Sequence, residues 1–235
     1  MEFYTSSLKW LNGNQGVLAV IIFLLTLLFG WISGIFRALQ KKPRFKLSLI
    51  PGPTFTTTTI TGHLDNGIPT HKTAIALYLS VANIGSAPSE IKYVKVGYHW
   101  DIKPFRKEWF KYRLGWFWLD FQTAALEDFH CEIGDKIKVF PFLLQGNSLT
   151  GIAANTYLTE GRVVNGVIYF EQQECWGASY PKEKNGKTKI KIAVVDANDK
   201  AHVATKEIDV VELGYARTFN PSFGSTLDTL NGQQT

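Results

Sequence analysis

From Val17 to Phe36 the chain runs twenty residues without a charge, VLAVIIFLLTLLFGWISGIF, and the next ten, RALQKKPRFK, hold five basic residues and no acid. An uncharged helix of that length is ~30 Å long, the hydrocarbon thickness of a bilayer. A helix satisfies its own backbone polar groups, the condition lipid sets on a spanning segment. The flanks orient it. Arg37, Lys41, Lys42, Arg44 and Lys46 outweigh Lys9 on the other side, which predicts a single-pass protein of the bacterial inner membrane with residues 1–16 outside and everything after residue 37 in the cytoplasm. A cleavable signal peptide fits poorly, because its basic residues precede a shorter apolar run that ends at a small-x-small site.

Cutting the chain at this segment relocates its charge. The whole protein is +5, yet residues 47–235 hold nineteen Lys or Arg and nineteen Asp or Glu. The excess is a membrane-flank property, suited to anionic headgroups, and a nucleic-acid partner is not expected of a neutral domain. Two cysteines, Cys131 and Cys175, are too few for a disulfide framework. The expected organisation is an extracytoplasmic end (1–16), a transmembrane helix (17–36), a basic juxtamembrane segment (37–46), a soluble domain (47–222) with an aromatic insertion (104–121), and a frayed polar tail (223–235).

The soluble part reads as strands. FKLSLI (45–50) and TFTTTTIT (54–61) flank Pro51-Gly52-Pro53, and TAIALYLSV (73–81) alternates cleanly, with Ile75, Leu77, Leu79 and Val81 on one face. Period two over that length predicts a half-buried strand. Further strands are expected over 90–100, 136–140, 162–171, 188–196 and 203–211, with a hairpin turn at Asn198-Asp199-Lys200. Thr56–Thr59 reads as the surface of an edge strand. Seven or eight short strands without a long helical period predict a mainly β, antiparallel sandwich.

At Leu77-x-Leu79-x-Val81-x-Asn83-x-Gly85-x-x-Pro88 the chain resembles the strand and corner of immunoglobulin-like domains in bacterial surface and membrane proteins. The stretches GVIYF (166–170) and KIKIAVVDANDKAH (189–202) are similar to the last strands of such domains. The resemblance covers about half of the soluble part and implies a scaffold, which hosts many unrelated functions.

The most unusual soluble segment is PFRKEWFKYRLGWFWLDF (104–121). It interleaves Phe105, Trp109, Tyr112, Trp116 and Trp118 with Arg106, Lys111 and Arg113. Three readings stand: aromatics completing the core, an amphipathic element on the membrane surface, or a partner-binding surface. In the apolar segment, Thr26, Gly30, Gly34 and Ala38 recur every four residues, a small-residue stripe that lets two helices approach and predicts a homo-oligomer through the membrane.

Catalytic patterns are sparse. His63, Asp65 and His71 share a turn-rich stretch that reads as solvated loop rather than metal site, and His130 and Cys131 should point to opposite faces of a strand. No cofactor and no catalytic residue are expected. The sequence therefore predicts a non-catalytic membrane protein whose cytoplasmic sandwich binds a protein partner. Its alternative is a membrane effector, of the plan seen in bacterial defence systems, whose sandwich senses a ligand and whose helices associate to disturb the bilayer.

Overall fold

The computed structural model describes residues 10, 13–35, 41–105, 107–152, 154–230 and 232. It divides into two compact units, Met1–Lys42 and Pro43–Thr235.

The first unit is built on helix α1, Gln15–Ile32, with no acidic residue in its first turn and no basic residue in its last. By length and composition it can cross a membrane, with a mean hydropathy of 2.4. Eighteen residues rise ~27 Å. The helix stops short of the expected Phe36. The Ser33 N–H returns to the Phe29 carbonyl at 2.8 Å and the Gly34 N–H to Trp31 at 3.2 Å. Gly34 itself sits at φ +76°, a left-handed conformation that ends helices and that glycine adopts without a Cβ penalty.

The second unit is mainly β. Its strands are β1 (Phe45–Leu49), β2 (Phe55–Asp65), β3 (Ile68–Asn83), β4 (Ser89–Tyr98), β5 (Phe117–Leu119), β6 (His130–Ile133), β7 (Lys136–Val139), β8 (Tyr157–Leu158), β9 (Val163–Glu171), β10 (Cys175–Trp176), β11 (Glu183–Lys184), β12 (Lys187–Asp196) and β13 (Ala201–Val210), followed by short helices α2 (Leu213–Arg217) and α3 (Thr226–Leu230). The main hydrogen-bonded path runs β1-β3-β2-β13-β12-β4-β5, and β9 pairs with β3. β2 and β13 meet only at Asp209↔Phe55 and Val210↔Thr56, in parallel. The path turns a corner there. One layer is β1 and β2 end to end along β3, with β9 beyond; the other is β13-β12-β4-β5. Two such layers facing one another across a common core make a β-sandwich.

The two layers share one core. Leu47, Ile75, Leu77, Leu79 and Phe170 of the first layer pack with Val94, Val96, Tyr98, Ile192 and Ile208 of the second. The Asn83 corner explains itself in hydrogen bonds. Its fully buried side chain accepts from the Gly85 N–H at 3.0 Å and the Arg44 N–H at 3.3 Å, and donates to the carbonyls of Ala87 and Leu158 at 2.8 and 3.0 Å. A buried amide with all its groups paired costs nothing in lost hydration.

Four expectations change. β3 is buried on both faces, because Ala74 and Ala76 lie under a second cluster of Phe55, Phe129, Phe140, Phe142, Tyr169 and Phe223. Thr56 and Thr57 are buried, not an edge surface, and donate to the carbonyls of Ala74 and Val211. The tail is ordered through Leu230: Phe223 is fully buried and Lys72 pairs with Asp228 of α3. The domain begins before residue 47, since Lys46 lies within β1 and Arg44 hydrogen-bonds the Asn83 corner.

Candidate functional site

The aromatic segment divides residue by residue between core and surface. A π-helical turn, Trp109–Leu114, leads into β5, which pairs with β4 at Tyr98↔Phe117. The Trp100 N–H donates to the Tyr112 carbonyl at 3.1 Å, and the two rings pack with their centroids 4.1 Å apart, tilted by 35°. Phe117 packs on Tyr98, Trp100 and Tyr112 at 5.0–5.6 Å, so this part extends the core. Phe105, Phe110 and Phe121 are exposed instead, with Phe105, Trp109 and Phe110 in contact with one another. Lys111 is exposed beside the Tyr112 ring. Trp116 packs against His99 in a tilted arrangement, with ring centroids 4.0 Å apart, and Trp118 covers Gly97. Arg106 lies outside the described residues.

Beside this segment is an apolar groove of about 610 Å³. Its apolar lining is Trp100, Ile102, Phe117, Ile68 and Trp176. Ile68 comes from the β2–β3 hairpin, whose turn places Asp65 opposite Ile68 through Asn66 and Gly67. Trp176 is held by β10, which pairs with β3 at Cys175↔His71. Few polar groups line it: Gln172, Glu174, Cys175 and Ser179, with Glu108 at its edge. That composition, apolar walls with a few fixed polar groups, is typical of ligand and partner sites. The Trp100 Nε1–H is buried and meets no acceptor among the described residues. Buried donors are nearly always paired.

The polar groups are engaged structurally. Tyr98 donates to Gln172 Oε1 at 2.5 Å, and Gln172 Nε2 donates to Cys175 Sγ at 2.9 Å. Burial pushes the Cys175 thiol above its ordinary range, so it stays protonated and is a poor nucleophile. Ser179 Oγ lies 3.3 Å from His71 Nε2, and burial lowers the His71 pKa. Both are buried, and no carboxylate orients the imidazole among the described residues, unlike an activated serine–histidine pair. Glu174 is held down to about 2 by hydrogen bonds from Thr61 and Thr70, with His63 a further donor at 3.0 Å. His63 and His71 therefore serve different partners. Among the described residues no group of three His, Cys, Asp or Glu side chains is placed to hold a metal ion. His130 and Cys131 are successive residues of β6, whose side chains alternate in direction.

The remaining candidates fall in other places. Lys41, Arg44 and Lys46 are exposed, as is Lys42; Arg37 lies outside the described residues. In the small-residue stripe, Thr26 and Gly30 belong to α1, with the Thr26 hydroxyl turned back to the Ile22 carbonyl at 2.8 Å. Gly34 is past the helix end, and Ala38 is outside the described residues. The stripe is thus interrupted by its own glycine.

Trp100, Ile68, Ile102 and Trp176 were not singled out from sequence as site residues. Trp100 reads as the end of a strand, and Trp176 stands in a stretch with no periodic signal. No protein-family model matches the chain, and no curated protein matches it.

Proposed function

We propose that this chain is a non-catalytic, single-pass membrane protein that presents its β-sandwich on the cytoplasmic side and binds a protein partner in the apolar groove. The observation that carries the reading is the groove itself, lined by two tryptophans, two isoleucines and a phenylalanine. Aromatic anchors in a desolvated pocket dominate protein interfaces. The resemblance to immunoglobulin-like domains of bacterial membrane proteins agrees with a scaffold role, and the basic flank with anionic headgroups.

Affinity isolation of the intact protein in mild detergent tests this, with Trp176→Ser and Ile68→Asp compared against the unmodified chain. Both side chains are exposed, at 59% and 42%, so the sandwich should tolerate them. At least one co-purifying protein should fall tenfold or more with each variant and be retained by a chain with an intact groove whose α1 is exchanged for an unrelated anchor. An unchanged set of proteins with both variants would sink the groove as the binding site.

Topology has a separate measurement. Cys131 and Cys175 are only half exposed, so an accessible probe is better. In a chain with both replaced by alanine, Val203→Cys at an exposed position should react with an impermeant thiol reagent after lysis and not in whole cells. Modification before lysis would place the sandwich outside.

A further inference from the structure

The neutral soluble part conceals a local concentration of positive charge. Along β12, Lys187, Lys189 and Lys191 alternate with buried Thr188, Ile190 and Ile192, so all three lie on the outer face of their layer. The β11–β12 hairpin turns through Asn185 and Gly186, at φ 53° and 73°. That two-residue turn fixes the register and sets Lys184 directly opposite Lys187. Lys182 follows on the same face, its N–H bonded to the His99 carbonyl at 2.8 Å. Arg113, from the π-helical turn, reaches the same place. Arg113, Lys182, Lys184, Lys187 and Lys189 line a concavity of about 580 Å³ in which Glu207 is the one carboxylate among the described residues.

The charges are not balanced where they stand. Like charges directly opposite one another destabilise a sheet, and the Lys184/Lys187 pair is held in that relation by its turn. Asp209 lies 3.5 Å from Lys187 with both side chains more than half exposed, an arrangement worth little. Glu207 opposes Lys189 across β13. Neither acid approaches Lys184 by register, because β13 lies on the other side of β12. The cavity is larger than one tetrahedral anion needs and within the range of small-ligand sites. Four ammonium groups act as point charges suited to phosphate oxygens, and one guanidinium can grip two of them at once.

We propose that this concavity binds a ligand bearing two or more phosphate groups, either a soluble polyphosphate compound or a phospholipid headgroup. The site is separate from the apolar groove and does not depend on it.

The test uses the full chain in phosphatidylcholine nanodiscs, titrated calorimetrically with inorganic tripolyphosphate at ~0.15 M salt, where long-range surface attraction is screened beyond ~8 Å. Saturable one-site binding is expected. Lys184→Glu with Lys187→Glu should weaken it at least tenfold, Arg113→Gln severalfold, and Lys136→Glu, an exposed lysine on β7, not at all. An unchanged thermal midpoint shows that the variants remain folded. A second arm places photoreactive cardiolipin, whose headgroup carries two phosphates, in the discs: cross-links within residues 182–189 identify a headgroup ligand, whereas tripolyphosphate binding without them identifies a soluble one. The proposal is overturned if neither probe engages the site, if the charge-reversed variant binds as well as the parent, or if a glutamate oligomer of equal charge binds equally.

Discussion

Replacing Gly166 by alanine should destabilise the sandwich by about 3 kcal/mol or more, the range in which a core is forced to accept atoms it has no room for. A Cβ at this position would lie 2.5 Å from the backbone nitrogen and Cα of Leu143, atoms that cannot rotate away. The approach is close because the strand edge of β9 is sealed by the chain at Pro141–Leu143: the Val167 N–H donates to the Pro141 carbonyl at 2.7 Å and the Leu143 N–H to the Val167 carbonyl at 3.0 Å. That segment also sends Leu143 into the core between the layers and Phe142 into the second cluster. Displacing it loosens both at once. For a domain of this size the thermal midpoint should fall by roughly 6–12 °C, read by circular dichroism in detergent. A midpoint within 2 °C of the parent would mean that the closure is not needed.

His202→Ala should cost about 3–5 kcal/mol, the range for breaking a buried pair by removing one partner. The imidazole joins the start of β1 to the β12–β13 hairpin. Its Nδ1 accepts the Phe45 N–H at 3.1 Å, its Nε2–H donates to Asp196 Oδ2 at 2.8 Å, and its ring packs on Phe45 at 4.7 Å. Without it, a buried carboxylate oxygen and a buried N–H both lose their partners. Asp196 also gives the site a pH dependence. Burial raises its pKa, but hydrogen bonds from His202 and from the Lys200 and Asn198 N–H groups outweigh burial and hold it below the ordinary 3.8. A carboxyl depressed by folding stabilises the native state above its unfolded pKa, and that contribution disappears as pH falls through the folded value. Acid unfolding below pH ~4 should therefore have a shallower stability loss in Asp196→Asn, whose midpoint should be lower than the parent's at pH 7 and closer to it at pH 3. A constant difference across that window would remove Asp196 from the acid transition.

Much of the β framework was legible because its period is strict. In β3 and β12 every second side chain belongs to the core, so the pattern survives reading one residue at a time. Strand ends were less legible. β3 starts at Ile68, before Pro69, because the Asn66-Gly67 turn pairs Ile68 with Asp65. In β4, Ile91 and Val94 are both buried although they are three apart; the register shift between Val195 and Asp196 accounts for it. The groove was invisible for a different reason. Its apolar lining comes from residues 68, 100, 102, 117 and 176, which no local pattern connects.

The sequence by itself determined the apolar helix, the charge excess beside it, the principal strands and the Asn83 corner, because each depends on neighbours or on a fixed period. The tertiary structure alone decided three things. It set Ala74 and Ala76 under a second core, which small side chains permit but do not announce. It used Gly34 as a helix end, a matter of one backbone angle that spacing cannot express. It gathered five cations, from β11 and the residue just before it, from β12 and from a π-helical turn, around one concavity. Net charge sums over the whole chain, while an electric field is felt within a few ångströms, so a neutral domain can still hold a strongly basic site.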